Sequence, residues 1–447
     1  MRQMNFGLIC IVFIPLFISL AGKGTAAPSS IKPIIDPGFD PDPNVLLTSL
    51  VDNHKEIASL RHRMESAKEV LRQTQALYMP SVDFYGDAGK EGIEKELSVN
   101  TYQWRHEVTI KATQLISDFG KTTHTIDRDK LAFEQSEAGL SSVTQKTLRE
   151  GISAYIGIVR ARERLKTALY SESRIKALTG VEKALVEKGA GLSSDVLQAK
   201  SQLAGAMALR VEAEGELSLA KNRFQAVFYH YPTDHDIGQF IDIPLPDAQL
   251  PKDLDSAIDT ALQSNPDIRI TRYDLDLRRK DVDISKTSYY PSLNLFGEYI
   301  DAEDDNGADG YRRDYSAGVE FSYNIFSGGG DTAAIRSALA AQAAAENYLD
   351  HAGLLVQEQV RNAWDQFSTL TRRKEMLDTQ VEILKNFLEL AKKERKMGTR
   401  SLLDVLNGEV NYINAQATAI AAGQDMKIAA YNLLYAMGQI SLTLFAP

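Results

Sequence analysis

The chain is written twice, and any fold it adopts must be made of two similar halves. "SLVDNHKEIASLRHRM…ALYMPSVDFYG" (Ser49 to Gly86) has the pattern of "AIDTALQSNPDIRITRY…TSYYPSLNLFG" (Ala257 to Gly297). Ile57 answers to Ile268, Pro80 to Pro291, Ser81 to Ser292 and Gly86 to Gly297, each 211 positions apart. "QLISDFGK" (Gln114 to Lys121) then answers to "NIFSGGGD" (Asn324 to Asp331) at a spacing of 210, and "KGAGLSSDVL" to "MGTRSLLDVL" at 209. The last match pairs Gly189 with Gly398, Asp195 with Asp404 and Val196 with Val405. Three markers in one order at nearly constant spacing mark a duplication. Each half reads helix, strand, strand, long helix, turn, helix.

Proline placement shows where the long helices run. Five of the 14 prolines fall between Pro28 and Pro43, an extended leader. None lies between Pro80 and Pro232, and none between Pro291 and Pro447. Such windows admit very long helices, because proline breaks a helix interior. Residues 119–188 are rich in Ala, Leu, Glu, Lys and Arg. Within them Leu148, Ile152, Tyr155, Ile156 and Val159 form one helical stripe, which Leu178, Val181 and Leu185 continue. Residues 331–397 give a second segment of similar length. A helix of this size extends roughly 100 Å, a coiled-coil length rather than a globular one.

The strands carry the clearest alternation. Tyr315, Ala317, Val319, Phe321, Tyr323 and Ile325 alternate with Asp314, Ser316, Gly318, Glu320, Ser322 and Asn324. In the first half Tyr102, Trp104, His106, Val108, Ile110 and Ala112 alternate with Gln103, Arg105, Glu107, Thr109, Lys111 and Thr113. Apolar on one side and charged on the other, strands of about 9–11 residues suit a transmembrane barrel with lipid outside and water inside. A half-buried strand of a soluble sheet alternates in the same way. Each half offers two strands, 81–88 and 102–115, then 292–300 and 314–325. Four strands are too few to close a barrel, and in lipid every edge must be paired. A membrane-inserted form must therefore oligomerise, with strands from several chains in one barrel.

The N-terminus has the layout of a secretory signal: Arg2, an uncharged apolar run from Phe6 to Leu20, then small residues to Ala27. The resulting division is a signal peptide at 1–26, a leader at 27–43, a first repeat at 44–230, a connector at 231–252, a second repeat at 253–440 and a tail at 441–447. The helices that follow the two turns are expected at 193–230 and 401–438. The only cysteine, Cys10, falls in the signal, so the exported chain is expected to lack thiol and disulfide chemistry. The net charge of −10 argues against nucleic acid as a partner, and a mean hydropathy of −0.25 against a bundle of membrane helices.

The duplicated layout resembles the TolC family of outer-membrane export channels over essentially the whole mature chain. The resemblance implies a homotrimer that is mainly α with a shared β-barrel portion: one transmembrane barrel above a long periplasmic α-helical coiled-coil tunnel. It also implies a periplasmic adaptor (membrane fusion protein) and an inner-membrane ABC-type or other transporter as partners, with outer-membrane lipid around the barrel. "GAGLSSDVL" and "GTRSLLDVL" look like the two turns at the periplasmic tip. "SSDVLQAKSQLAGA…EGELSLAKNRFQAVF" looks most like the agglutination-protein branch of type I secretion. On this likeness Gly189, Asp195, Arg395, Gly398, Arg400, Asp404 and Asn407 belong to the tip and gate. Arg400 and Asp195 are candidates for a charged link holding it closed, and Asp404 for a ring of carboxylates that attracts cations. Asn407 stands where the family has an acidic residue and Arg395 where it has a tyrosine. Gly189, Gly191 and Gly398 allow the reversals, and Ser193, Ser194 and Ser401 are candidate helix caps. The strand-to-helix junctions are expected at Gly120 and at Gly328, Gly329 and Gly330. The lipid-facing positions are expected at Trp104, Val108, Ile110, Val319, Phe321 and Tyr323.

Nothing in the chain calls for a cofactor, a metal or catalysis. "DAEDDNGADG" (Asp301 to Gly310) is acidic but breaks the EF-hand order, and reads as an exposed hairpin loop. "FSGGGD" lacks the Lys-Ser/Thr of a phosphate loop. His230 and His235 with Asp234 and Asp236 sit in the connector, and the other histidines show no HExxH spacing. The leading expectation is an exit duct for protein, adhesin or small-molecule cargo, with type I secretion ahead of drug efflux. The competing class is a soluble periplasmic adaptor, which would show one helical hairpin between the halves of a small β-domain, or a coiled-coil scaffold, which does not need the alternating strands.

Overall fold

A computed structural model describes residues 39–94, 96, 100–189 and 192–445. The expected signal peptide, most of the leader and Gly191 lie outside the described residues. The first half runs α1 (Pro43–Asn53), α2 (Lys55–Gln75), β1 (Ser81–Ile93), β2 (Thr101–Ser117), α3 (Lys121–Glu187) and α4 (Ser193–Phe228). After a short α5 (Asp234–Gln239), the order repeats as α6 (Leu254–Ser264), α7 (Pro266–Lys286), β3 (Ser292–Glu303), β4 (Tyr311–Ser322), α8 (Gly330–Lys396) and α9 (Leu402–Ala436).

α3 and α8 each have 67 residues and so extend about 100 Å. In each half two shorter helices flank the long one. α2 and α7 accompany α3 in the half near the sheet, where Lys280 Nζ meets Asp127 at 2.8 Å and Ser142 donates to Asp267 at 2.7 Å. α4 and α9 accompany it toward the far tip, with Arg164 Nη1 2.7 Å from Glu216 and Arg160 Nη1 2.5 Å from Asp425. No helix among the described residues is long and apolar enough to cross a membrane.

The largest core sits at the waist. The stripe Leu148, Ile152, Tyr155, Ile156 and Val159 is fully buried there against Leu47 and Leu50 of α1, Phe224 of α4, Phe240 of the connector and Leu434 of α9. Tyr155 fixes this junction, donating to Pro41 O at 3.0 Å and accepting from Ile241 N at 3.2 Å. Nearer the tip the stripe rotates: Ile175, Thr179 and Glu182 are buried, while Val181 is exposed. A straight helix of 3.6 residues per turn cannot keep one line of positions facing one neighbour over so many turns. α8 differs sharply from α3. It buries only Ala345, Val356, Val360, Leu388 and Ala391, leaving Tyr348, Leu354, Met376, Ile383 and Leu390 exposed within one chain.

All four strands form one antiparallel sheet in the order β1-β2-β3-β4. β1 and β4 are its edges. β1 and β3 run past the expected ends because a neighbouring strand continues alongside each, with Gly89 opposite Arg105 and Ala302 opposite Arg312. β4 stops early, and Tyr323 and Ile325, expected inside it, lie beyond its end. Its partner β3 starts only at Ser292, after Pro291, so residues following Ser322 find no strand to pair with.

Candidate functional site

Register sorts the strand side chains into two faces. On one, Trp104 stands beside Lys90, Ile110 between Phe84 and Tyr299, and Val319 beside Leu295. Trp104, Ile110, Val319 and Phe321 are exposed in the single chain and Val108 is half-buried, so this apolar surface has no cover among the described residues. The expected lipid-facing residues therefore share one face, except Tyr323. The other face carries Arg105, Glu107, Lys111, Asp83, Asp87, Glu298, Arg312, Asp314 and Glu320. Arg105 pairs there with Asp87 and Arg312 with Asp314, while Lys111 Nζ lies 5.9 Å from the Phe296 ring centroid.

The junctions from sheet to long helix use left-handed backbone. Phe119 (φ 54°) and Gly120 (φ 102°) precede α3, as Gly328 (φ 65°) and Gly329 (φ 87°) precede α8. Gly330 is the first residue of α8 and not part of the left-handed pair, one position off the sequence match. Asp118 compensates the first junction by accepting from the Thr122 backbone at 2.8 Å, while Tyr290 stacks on Phe119 at 5.8 Å.

At the opposite end both turns reverse through a left-handed glycine, Gly189 (φ 75°) and Gly398 (φ 80°). Ser401 caps α9, accepting from the Asp404 backbone at 3.0 Å. Ser193 and Ser194 do not cap α4. Its N-cap is Leu192, the serines lie inside the first turn, and Ser194 instead donates to Asp195 at 3.3 Å. Asp195 faces a small cleft with Glu182, Leu402 and Leu403, so the two turns lie side by side. Arg400 does not reach Asp195 within one chain. It pairs with Glu394 at 2.8 Å, lies over the Phe387 ring at 5.1 Å, and has its carbonyl held by Arg395 Nη1 at 3.2 Å. The hairpin's own carboxylate is the nearer partner for that guanidinium. Asp404 is exposed and Asn407 half-buried.

The strongest electrostatic feature near the tip is Glu409 of α9, 2% exposed. It accepts from Arg174 of α3 at 3.0 Å and lies 2.8 Å from Lys392 Nζ of α8. Burial alone pushes its carboxyl up, but the two cations outweigh this and hold it below the usual glutamate range. The triad ties the first repeat to the second. Sequence reasoning missed it, although a signal was present: Glu409 interrupts the apolar line Leu406–Ile413 at helical spacing. A charge on a buried stripe calls for a partner on the facing helix.

The duplication, the open sheet and the paired helical turns recur in known proteins. The family model described as "Outer membrane efflux protein" matches residues 46–227 and 257–439, one segment in each half. The outer membrane efflux protein BepC of Brucella suis biovar 1 is 23% identical over 403 residues, 88% of this chain and 85% of the relative. The alkaline protease secretion protein AprF of Pseudomonas aeruginosa is 23% identical over 286 residues, 61% of this chain and 57% of that protein. Among solved structures, the outer-membrane channel OprN superposes with a TM-score of 0.76 at 21% identity, covering 90% of each chain. The expectation of a channel rather than an enzyme agrees with these matches. With the family model spanning both halves of the duplication, the chain belongs to the outer membrane efflux protein family.

Proposed function

We propose that three copies of this chain assemble into the outer-membrane exit duct of a tripartite export system. One observation carries the reading: a four-stranded sheet whose two edges are unpaired and whose apolar face is uncovered among the described residues. In lipid such edges must close, and an even strand number lets β4 of one copy meet β1 of the next antiparallel. Three copies give twelve strands, four from each. The exposed apolar side chains of α8 supply the matching contact between neighbouring copies in the tunnel. The charged face of the sheet then lines water. An inner-membrane transporter supplies the energy, and a periplasmic adaptor bridges it to the tip turns around Gly189 and Gly398. The duct contributes a polar, gated path and no chemistry.

In the closed duct, Asp404 projects from the first turn of α9 as one carboxylate per copy, and Arg400 and Asp195 set how tightly neighbouring turns hold together. For cargo we favour polypeptide, on the likeness of the α4 segment to the agglutination-protein branch and on AprF being named for alkaline protease secretion. BepC is named for efflux, which makes small molecules the other outcome. In a deletion strain, loss of a surface protein with drug tolerance intact supports polypeptide export, and the reverse supports efflux. The architecture is tested by native mass spectrometry of the detergent-extracted protein after separation of inner and outer membranes. A trimer from the outer-membrane fraction is expected. A detergent-independent monomer in the soluble fraction overturns the duct and returns the adaptor or scaffold reading.

A further inference from the structure

The β3–β4 hairpin loop does not stand away from the sheet as an acidic exposed loop would. It folds over the charged face. Asp305 is 7% exposed and Ala302 on that face is fully covered, and these two are the only buried positions among the described residues of the four strands and their hairpins. The Asp305 carboxylate accepts from Arg105 Nη1 of β2 at 3.0 Å and from Arg312 Nη2 of β4 at 2.9 Å. Gly307 N donates to Glu91 of β1 at 3.0 Å, and Gln103 of β2 donates to Ala308 O at 3.3 Å. The loop thus reaches from one hairpin across to the other, on the side that faces water in the assembled barrel.

We propose that this loop is an outer gate, latched by Asp305, which narrows the exit of the duct independently of the periplasmic tip. The proposal rests on the barrel reading above. Two features make the latch releasable. First, both arginines keep other carboxylates when Asp305 leaves: Arg105 has Asp87 and, at 3.9 Å, Glu91, and Arg312 has Asp314 and, at 3.8 Å, Glu107. Opening therefore strands no cation, and the freed carboxylate returns to water, avoiding the main cost of breaking a buried ion pair. Second, the loop pivots on backbone suited to sharp reversal, with Asp304, Asn306, Gly307 and Gly310 all at positive φ. Burial pushes the Asp305 carboxyl up, but the hydrogen bonds from Arg105 and Arg312 prevail and keep it ionised at neutral pH. In a ring of copies the loops lie around one mouth, so their latched state decides what size of object passes there.

The test reads the outer mouth without involving the tip. In a Cys10→Ser background, Thr109→Cys places one thiol on the water-facing side of β2, four residues or about 13 Å below Arg105. Intact cells are treated with a bulky, impermeant polyethylene-glycol maleimide. Adding Asp305→Ala is expected to raise the labelling rate about tenfold, in proportion to the open population. Arg312→Gln, which leaves the Arg105–Asp305 pair in place, is expected to give a smaller rise and decides the matter if Asp305→Ala does not assemble. Labelling unchanged in the assembled variants overturns the gate. A second thiol position, Asp309→Cys at the exposed end of the hairpin, separates the two readings. It labels readily if the barrel lies in the outer membrane, and its silence means that the barrel reading has failed rather than the latch.

Discussion

Replacing Glu409 by Gln should loosen the tip without altering the barrel. The side chain keeps its shape and loses its charge, so two charge-assisted contacts, at 3.0 Å to Arg174 and 2.8 Å to Lys392, are weakened together. Each such contact is worth about 1.5–3 kcal/mol when intact. Arg174 and Lys392 are themselves 39% and 41% exposed, so water recovers part of their loss. A net destabilisation of about 2 kcal/mol is the expected balance, below the 3–5 of a fully enclosed pair. Expressed as local opening, that is about a 30-fold rise in amide exchange, because each tenfold corresponds to about 1.4 kcal/mol. Hydrogen–deuterium exchange of the assembled protein should show the rise over the tip-side ends of α3, α8 and α9, with the strands unchanged. The pH dependence carries the same sign. The folded carboxyl titrates below its unfolded value, so its stabilisation is present above about pH 4.3 and is lost as pH falls through the depressed value. Glu409→Gln should remove that dependence. A change of less than about threefold in the tip peptides would mean that the triad does not hold the two repeats together.

Other consequences can be checked directly. Val319→Arg places a charge on the apolar face and should cost about 2–4 kcal/mol near mid-membrane, while Ser316→Arg on the water-facing side should assemble normally; equal yields of folded oligomer in outer-membrane fractions contradict the face assignment. Gly438→Ala should reduce folded protein severely, because its Cβ would lie 2.7 Å from Asn265 Cα and 2.8 Å from Ser264 O at a φ of 73°. A loss beyond about 2 kcal/mol in thermal melting is expected. Asp404→Asn should weaken block of single-channel current by a trivalent cation added on the periplasmic side, with conductance otherwise preserved; undiminished block places the cation site elsewhere.

The duplication, the long helices and the polar–apolar strands were legible because each rests on short-range periodicity. The waist stripe around Tyr155 was legible for the same reason. Its continuation through Val181 failed, since a small angular error per turn accumulates over a long helix and puts Thr179 and Glu182 inside instead. The end of β4 depended on where Pro291 releases β3, a partner elsewhere in the chain, so alternation alone extended the strand to Ile325. At the tip, the Ser401 cap followed from the sequence, whereas Ser193 and Ser194 sit one and two positions too far into α4. The partner of Arg400 and the inward fold of Asp305 depend on distances across turns and strands, which spacing along the chain does not encode.

The bare flank of α8 and the two free strand edges also set conditions on the life of the newly made chain. Before it meets its neighbours it presents leucine, isoleucine and tyrosine side chains along a helix about 100 Å long, together with open hydrogen-bonding edges at β1 and β4. These are features by which holdase chaperones recognise clients and by which strands aggregate. In the proposed three-copy assembly, completion of the ring is a reaction of high order in protomer concentration, competing with proteolysis. Modest under-expression should lower the amount of finished duct more than in proportion, and a co-expressed subunit with a damaged β4 edge should poison its wild-type companions.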